Sequence, residues 1–303
     1  MPAVGMIPPV DLGRGDPAAV AATLAAMADA GVDHAVVGDH VSFFGGMGFD
    51  GLVHATALAM LHPRLPVQTA VYLLPLRHPV PVARQVATIE SLAPGRLTLG
   101  VGLGGEDPHE LEVCGVDPRT RGARMEECLT VLRTLLTGEA VTFHGAHVDV
   151  TDARILPAAP VPVVVGGRSE AAIRRGGRHA DGWLGIWVSP ERFARSTADF
   201  AEEADRAGRE PGPWRHGLSV WCGFGDDRAT ARQAVARAME GIYHLPFERF
   251  ERWCPYGTPA DVADQLAPYL EVGCPAFHLL PRGPSPQATI EAVAEVKRLL
   301  AAR

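Results

Sequence analysis

The sequence predicts an α/β protein, more specifically a (β/α)8 TIM barrel, from three observations. Its 303 residues, 47% of them hydrophobic, can bury a core of the required size. Short apolar stretches without polar alternation are separated by helical stretches, which indicates parallel strands covered by helices. Eight such strand-then-helix units favour a closed barrel over an open doubly wound sheet. No low-complexity linker divides the chain, so one domain over residues 1–303 is expected.

The predicted elements follow one another in regular order along the chain. The strands are predicted at 3–7, 34–38, 66–73, 97–102, 161–165, 183–187, 217–223 and 275–280. The helices are predicted at 17–30, 51–61, 80–92, 121–137, 169–180, 190–208, 228–243 and 285–302, with an extra helix at 259–271.

Two helices at opposite ends of the chain show the same start and stop signals. Asp16 and Thr258 are typical N-cap residues, and each is followed by a proline at the first helical position. Gly31 and Gly273 end these helices, and a short apolar strand follows each glycine. The repeated pattern supports the alternation that the barrel requires.

Two segments interrupt the alternation of strands and helices. Residues 138–160 alternate in the manner of a β-hairpin, and we expect them to form an insertion near the mouth of the barrel, at the carboxyl ends of the strands. Residues 244–257 form a second irregular stretch that is rich in aromatic side chains.

Composition excludes several classes of function. The formal net charge is −7, from 28 basic and 35 acidic residues, and no basic cluster is dense enough to predict nucleic-acid binding. The five cysteines form no Cys-x-x-Cys pair, which indicates reduced thiols in a cytoplasmic protein. The amino terminus does not resemble a signal peptide, and no apolar run approaches the ~20 residues of a membrane span. A cytoplasmic protein without a membrane segment is therefore expected.

The segment HAVVGDHVSFFGG, residues 34–46, ends a buried strand on an acid and a histidine. Active sites of such barrels lie at the carboxyl ends of the strands. His40 is a candidate general acid or base because imidazole titrates near neutral pH, and Asp39 is a candidate to orient it. Phe43 and Phe44 are candidates for the wall of a substrate pocket. Alternatively, the pair only ends the strand and the phenylalanines pack under a loop.

The segment GRLTLGVGLGGEDPHEL, residues 95–111, ends another strand in glycines. The glycines at 100–105 permit a ligand to approach closely, although their spacing is not that of the dinucleotide-binding fingerprint. Glu106, Asp107 and His109 follow in a stretch that contains a proline. A solvated loop is favoured over a metal site there, so no metal is predicted.

A third strand runs into Gly166, Gly167, Arg168 and Ser169, directly before a predicted helix. Unpaired N–H groups at a helix start, with a serine cap and an adjacent arginine, suit an anion such as phosphate. An ordinary tight turn with a serine cap explains the same pattern equally well. The chain contains no GxSxG elbow, no HExxH motif and no phosphate-binding P-loop.

The chain resembles the luciferase-like flavin and deazaflavin oxidoreductases over nearly its whole length. The resemblance is closest in QTAVYLLPLRHPVPVARQVATIESLAPGRLTLGVGLGG, residues 68–105, and it continues in order through 121–138, 143–150, 161–184 and 256–273. The fold of that family is a (β/α)8 barrel. The DHV at residues 39–41 resembles the branch that uses the deazaflavin coenzyme F420.

The resemblance implies roles for individual residues. Asp39 and His40 would lie beside the reactive carbon of the F420 ring, with His40 handling a proton and Asp39 fixing its tautomer. A non-proline cis peptide would join Ala70 to Val71 behind the ring. The other implied coenzyme contacts are Gly102, Gly104 and Glu106 at ligand edges, and Gly166, Gly167, Arg168 and Ser169 at the phosphate.

One departure from the family pattern concerns the substrate. Phe44 stands where the best-known sugar-phosphate dehydrogenase of the family has a tryptophan, and no cluster of Lys and Arg offers a second phosphate site. An apolar pocket is expected instead. Its further aromatic candidates are Tyr72, Trp187, Trp221 and Trp253.

The resemblance implies an F420-dependent oxidoreductase, functioning as a homodimer, that reduces a C=C, C=N or C=O bond of an unidentified small molecule. Two alternatives stay open at this point. One is an FMN-dependent monooxygenase that uses reduced flavin and oxygen on the same barrel. The other is a flavin- or deazaflavin-binding protein without turnover, since every candidate residue could bind without catalysing.

Overall fold

Eight parallel strands close into a barrel in the computed structural model, which describes residues 1–10 and 16–303. In chain order the strands are β1 (Ala3–Met6), β2 (His34–Val37), β3 (Val67–Thr69), β4 (Tyr72–Leu73), β5 (Leu97–Gly102), β6 (Val141–His144), β7 (Asp149–Ala153), β8 (Val163–Gly166), β9 (Gly182–Ile186), β10 (Gly217–Phe224), β11 (Tyr256–Gly257) and β12 (Ala276–Arg282). The barrel order is β1, β2, β3, β5, β8, β9, β10 and β12, and β12 pairs with β1 to close it. The predicted barrel is confirmed.

Ten α-helices accompany the strands in the described part of the chain. They are α1 (Pro17–Asp29), α2 (Gly51–Leu61), α3 (Pro79–Leu92), α4 (Pro108–Val113), α5 (Arg121–Leu136), α6 (Glu170–His179), α7 (Pro190–Arg206), α8 (Arg228–Tyr243), α9 (Pro259–Glu271) and α10 (Pro286–Ala301). The Asp16 carboxylate accepts hydrogen bonds from the N–H groups of Ala18 and Ala19, and the Thr258 side chain caps α9. The predicted helices are therefore confirmed, whereas α4 was not predicted.

The helix outside the regular outer ring is α8, so the prediction that residues 259–271 form the extra helix is wrong. Helix α9 packs between α7 and α10, where the barrel requires a helix. Helix α8 instead packs on β10, β11 and β12. The absence of a side chain at Gly223 permits this contact, because a Cβ there would lie 2.1 Å from the carbonyl oxygen of Ala231. Helix α8 and the segment after it are thus an insertion over the carboxyl ends of the strands.

Buried apolar side chains form two clusters among the described residues. The larger cluster lies between the barrel and its helices and includes Leu24, Phe193 and Phe277. The smaller cluster lies beneath α8 and consists of Trp187, Trp221, Val235, Ala236, Met239, Phe247, Phe250 and Cys254. Residues 244–257, which were predicted to be irregular, form two short 3-10 turns and β11 beside this second cluster.

The predicted strand at 66–73 is interrupted in its middle. The peptide bond between Ala70 and Val71 is cis, and the chain resumes as β4, which pairs only with β5. Neighbouring glycines make room for this bulge: a Cβ on Gly100 would lie 1.9 Å from the Thr69 carbonyl oxygen, and one on Gly102 would lie 2.3 Å from Val71. The glycines of β5 therefore serve packing against the bulge as well as access to the cavity.

The predicted hairpin is confirmed, but its location differs from the prediction. Strands β6 and β7 pair antiparallel between α5 and β8, so the hairpin joins the barrel at the amino ends of the strands. Its tip lies along α5, where the Glu127 carboxylate accepts hydrogen bonds from the N–H groups of residues 146–148. The insertions near the carboxyl ends are α8 and the loops after β2 and β5.

Candidate active site

A cavity of about 750 Å³ opens at the carboxyl ends of the strands. Loops after β2, β5, β8 and β9 surround it, as the barrel architecture predicts. Of the residues predicted to bind coenzyme or substrate, those that line the cavity are Asp39, His40, Phe43, Ala70, Val71, Gly102, Gly104, Glu106, Gly166, Gly167, Arg168 and Ser169.

Asp39 is buried and holds its neighbourhood together. Its carboxylate accepts two hydrogen bonds from the guanidinium of Arg77, at 2.5 and 2.8 Å, and further bonds from the N–H groups of Gly51 and Leu73 at 2.8 Å. Bidentate guanidinium–carboxylate pairs are among the stronger polar contacts in proteins. The prediction that Asp39 fixes the tautomer of His40 is wrong, because these four bonds use both of its oxygens.

His40 is paired with Glu110 instead. The distance from Nδ1 of His40 to Oε2 of Glu110 is 3.1 Å, and the side chains are 33% and 2% exposed. An ionised carboxylate only accepts hydrogen bonds, so Nδ1 carries the hydrogen and Nε2 remains available. The sequence separation of 70 residues left no local signal for this pair.

Hydrogen bonds to the Glu110 carboxylate favour its ionised form. Burial by itself raises the pKa of this carboxyl, but hydrogen bonds from His40 and from the N–H groups of Val41 and Ser42 outweigh burial and lower the pKa. The bond from the Val41 N–H is 2.7 Å long. Glu110 is therefore ionised near neutral pH and fixes both the imidazole and the start of the loop after β2.

Helix α4 supplies a second carboxylate to the same loop, which corrects the prediction of a solvated loop at residues 106–109. Asp107 caps α4 by accepting a hydrogen bond from the His109 N–H, and its other oxygen accepts one from the Phe44 N–H at 2.8 Å. Asp107 is buried, whereas Glu106 and His109 are exposed. Within residues 1–10 and 16–303, no group of three ligand-type side chains is arranged to hold a metal ion.

Aromatic rings in contact with one another lie at the mouth of the cavity, and the His40 and Phe43 rings are stacked. We call the aromatic wall the set formed by His40, Phe43, Phe44, His244, Tyr243, Trp187 and Phe250. Phe43, Trp187 and Tyr243 line the cavity, whereas Phe44 does not and instead packs between Phe43 and His244. Tyr72, Trp221 and Trp253, which were also candidates, do not line it.

The predicted anion site adjoins the aromatic wall. Ser169 caps α6 by accepting a hydrogen bond from the Ala172 N–H at 3.1 Å. The Gly167 carbonyl accepts a bond from the Trp183 indole at 2.7 Å, which fixes the turn. The Arg168 guanidinium is exposed and lies 5.1 Å from the centre of the Trp187 ring. Arg121 adds a second cation to the cavity, beside Gly105 in the loop after β5. The helix start and the adjacent Arg168 suit a phosphate.

A different histidine cluster lines a smaller cavity, of about 340 Å³, at the amino ends of the strands. Nε2 of His34 lies 2.8 Å from Nδ1 of His278, and both rings are buried. Gly5 and Gly217 make room for the two rings, since a Cβ at either position would lie within 2.5 Å of an imidazole atom. Burial lowers the pKa of His34 to about 4 and that of His278 well below its usual range.

Comparisons with known proteins identify the family to which the chain belongs. A family model described as luciferase-like monooxygenase matches residues 6–274. An uncharacterized protein of Mycobacterium tuberculosis is 36% identical over 159 residues, which are 52% of this chain; the chain thus spans about half, 54%, of that relative's length. An F420-dependent glucose-6-phosphate dehydrogenase of Nakamurella multipartita is 33% identical over 287 residues, covering 85% of this chain and 84% of the relative.

Solved structures of low sequence identity share the fold. An F420-dependent secondary alcohol dehydrogenase in complex with an F420-acetone adduct superposes with a TM-score of 0.84 at 19% identity, over 99% of both chains. The oxygenating component of 3,6-diketocamphane monooxygenase from Pseudomonas putida, in complex with FMN, gives 0.76 at 18% identity over 99% of this chain and 98% of that one. Within the described residues, no helix has the length and apolar character needed to cross a bilayer.

Proposed function

We propose that this chain, which belongs to the luciferase-like monooxygenase family, is an F420-dependent oxidoreductase that reduces a small organic substrate. The observation that carries the proposal is the His40–Glu110 pair, which leaves one imidazole nitrogen available beside a large cavity. The DHV at residues 39–41 and the 33% identity to an F420-dependent relative over most of the chain support F420 over FMN.

The residues of the cavity fit a large phosphorylated coenzyme. A volume of about 750 Å³ lies within the ~300–1,000 Å³ range of small-molecule sites. Arg168, Ser169 and the first N–H groups of α6 would hold the phosphate. Ala70 and Val71 would support the ring system from one side, and Gly102, Gly104 and Glu106 line the edge between these two regions.

The chain's own residues would orient the reactants and move a proton. When bound in reduced form, the deazaflavin supplies a hydride. In its protonated form, His40 would donate a proton from Nε2 to the substrate, while Glu110 holds the ring through Nδ1. Asp39 would act as a positioning residue, because its bonds to Arg77, Gly51 and Leu73 fix the strand end that carries His40.

Reduction fits the proposal better than oxygenation. A reduced deazaflavin delivers hydride and reacts poorly with oxygen, so the products are a saturated C–C, C–N or C–O bond and the oxidised coenzyme. The binding energy would be used to align the substrate with the coenzyme in a cavity from which water is excluded.

Titration of the purified protein with F420 and with FMN, each oxidised and reduced, tests the choice of coenzyme. We expect the dissociation constant for F420 to be lower than that for FMN, measured by absorbance or fluorescence. Micromolar binding of FMN without detectable binding of F420 would contradict the proposal and favour the monooxygenase alternative, which an oxygen electrode would then test.

The proposal also concerns the cellular location of the protein and its oligomeric state. The five cysteines are unpaired, which fits the reducing environment of the cytoplasm. We expect a homodimer, and light scattering of the purified chain measures its mass directly. A monomeric mass at assay concentrations would contradict this part of the proposal.

A further inference from the structure

The part of the aromatic wall that lines the cavity consists of His40, Phe43, Trp187 and Tyr243. The His40 and Phe43 rings stack with centres 3.9 Å apart, and the Trp187 ring lies edge-on to Tyr243 with centres 5.2 Å apart. Aromatic faces in such arrangements favour planar apolar partners. A ring-containing substrate therefore fits this side of the cavity.

The positive charge in the cavity comes from arginines, and one of them, Arg168, lies beside the aromatic wall, 5.1 Å from the centre of the Trp187 ring. Among the described residues that line the cavity, the arginines are Arg121 and Arg168, both beside the turns proposed to hold the coenzyme. Arg282 lies over the Trp221 ring at 4.9 Å but lines a different hollow. The chain's single lysine, Lys297, bonds to Asp33 at the amino ends of the strands. A phosphorylated substrate would thus compete with the coenzyme for the same two cations.

The aromatic wall also contains hydrogen-bond donors that lack acceptors. Trp187 is 8% exposed, and its indole N–H has no partner in the part of the chain that the structure describes. The Tyr243 hydroxyl accepts a bond from the Trp221 indole at 3.1 Å, so its own hydrogen remains to be donated. A buried donor without an acceptor is unfavourable, and an oxygen atom of a ligand would relieve that penalty.

We infer that the substrate is an uncharged ring compound that carries a hydrogen-bond-accepting oxygen, with Trp187 as a specificity-determining residue. This inference rests on the proposed function, since it names the partner of the same site. The aromatic wall would bind the ring, and the Trp187 indole would donate to the oxygen. A sugar phosphate, the substrate in the name of the Nakamurella relative, would find neither a matching surface nor a free pair of cations.

Three naphthalene probes separate ring binding, hydrogen bonding and charge. 2-Acetonaphthone carries an acceptor oxygen, 2-naphthoate carries a negative charge, and 2-methylnaphthalene carries neither. Each is titrated calorimetrically into the full chain, alone and with F420, and glucose 6-phosphate is the fourth ligand. We expect 2-acetonaphthone to bind about tenfold or more tightly than 2-naphthoate or glucose 6-phosphate, because burying an unpaired charge is costly.

Trp187→Phe keeps a ring and removes the indole N–H. We expect it to weaken 2-acetonaphthone about threefold to tenfold while leaving 2-methylnaphthalene unchanged. Trp214→Phe, at the amino ends of the strands, is the matched control and should change neither constant. Retained F420 binding shows that each variant is folded.

Tighter binding of 2-naphthoate or glucose 6-phosphate than of 2-acetonaphthone would overturn the inference. Equal loss of 2-acetonaphthone and 2-methylnaphthalene in Trp187→Phe would overturn the role of its indole. Failure of the chain to bind F420 would instead refute the proposed function. The comparison of the two uncharged probes, 2-acetonaphthone and 2-methylnaphthalene, in the wild type and in Trp187→Phe would still decide the role of the indole.

Discussion

At the carboxyl ends of the strands, Nδ1 of His40 bonds to the ionised carboxylate of Glu110, and 33% of the His40 side chain is exposed. At the amino ends, His34 and His278 bond to each other, and both rings are buried. Burial lowers the pKa of both buried rings. A positive charge on His34 disfavours protonation of His278, whereas the carboxylate beside His40 accepts a hydrogen bond from its ring.

A histidine that lines a cavity therefore does not by itself indicate a role in proton transfer. His34 and His278 occupy space made by Gly5 and Gly217 inside the barrel and stay neutral near pH 7. His40 keeps access to the cavity and a carboxylate partner. The carboxylate partner, together with exposure, marks the end of the barrel at which we expect proton transfer.

Replacing His40 has the largest expected effect on turnover. His40→Gln should lower the turnover number by about 10²–10⁴, because glutamine keeps hydrogen bonding but cannot exchange a proton. The measurement is single-turnover hydride transfer from reduced F420, with the coenzyme dissociation constant determined alongside. His278→Gln is the control at the opposite end and should turn over near the wild-type rate. If His40→Gln matched the wild type across about pH 5 to 9, His40 would be a coenzyme contact only.

Removing the arginine of the anion site should act on coenzyme binding. Arg168→Ala should weaken F420 by roughly 1.5–3 kcal/mol, the size of a charge-assisted hydrogen bond. A deazaflavin without a phosphate should lose much less affinity. Arg174→Ala, on the exposed face of α6, is the matched control. An equal loss for both ligands would show that Arg168 has a structural role.

A smaller effect is expected from neutralising Glu110. Glu110→Gln should reduce turnover by roughly tenfold, part of the 10²–10⁴ that general acid–base catalysis contributes, since His40 loses its charged partner. The pH profile of turnover should change shape while the coenzyme dissociation constant stays nearly constant. Glu112→Gln, exposed on the same short helix, serves as the control. An unchanged profile would make the contact with His40 merely structural.

The buried histidine pair should affect stability and leave turnover nearly unchanged. His34 binds a proton in the unfolded chain near pH 6.5 but in the folded protein only near pH 4. The unfolded state therefore holds more protons between these values, and the free energy of unfolding should fall by up to about 1.4 kcal/mol per pH unit as the pH is lowered through this window.

Urea unfolding at several pH values measures this slope. His278→Gln should remove one histidine's share of it, while His54 and His216, whose pKa values burial also lowers to about 4, contribute equally in both proteins. A variant with the wild-type slope would show that His278 is protonated normally in the folded state.

The sequence predicted the barrel well because its signals are local. Caps such as Asp16 and Thr258 and apolar strands of four to eight residues are read within one window of the chain. The break at Ala70–Val71 is not encoded in this way, since AVYLL, residues 70–74, contains no glycine or proline that would signal it. It depends on the glycines of neighbouring strands, and only the family resemblance predicted it.

The sequence predicted most of the residues that line the candidate site but few of the contacts between them. Asp107 followed by a proline repeats the start signal of α1, but a helix of six residues is too short to show periodicity. The bonds from Glu110 to His40 and from Arg77 to Asp39 join residues 70 and 38 positions apart. These pairs form because the fold brings the loops at the carboxyl ends of neighbouring strands together. The local spacing of residues in the sequence therefore does not predict them.

Asp107 and Glu110 bind the loop after β2 through the main-chain N–H groups of Val41, Ser42 and Phe44. Every residue type except proline offers that donor. Mutations at Val41 and Ser42 can therefore accumulate during evolution without releasing the loop from its anchor, whereas Phe44 is also held by its packing between Phe43 and His244. Relatives of this chain can vary at these two positions while the His40 imidazole stays in place, and a combinatorial library aimed at new substrates would begin there.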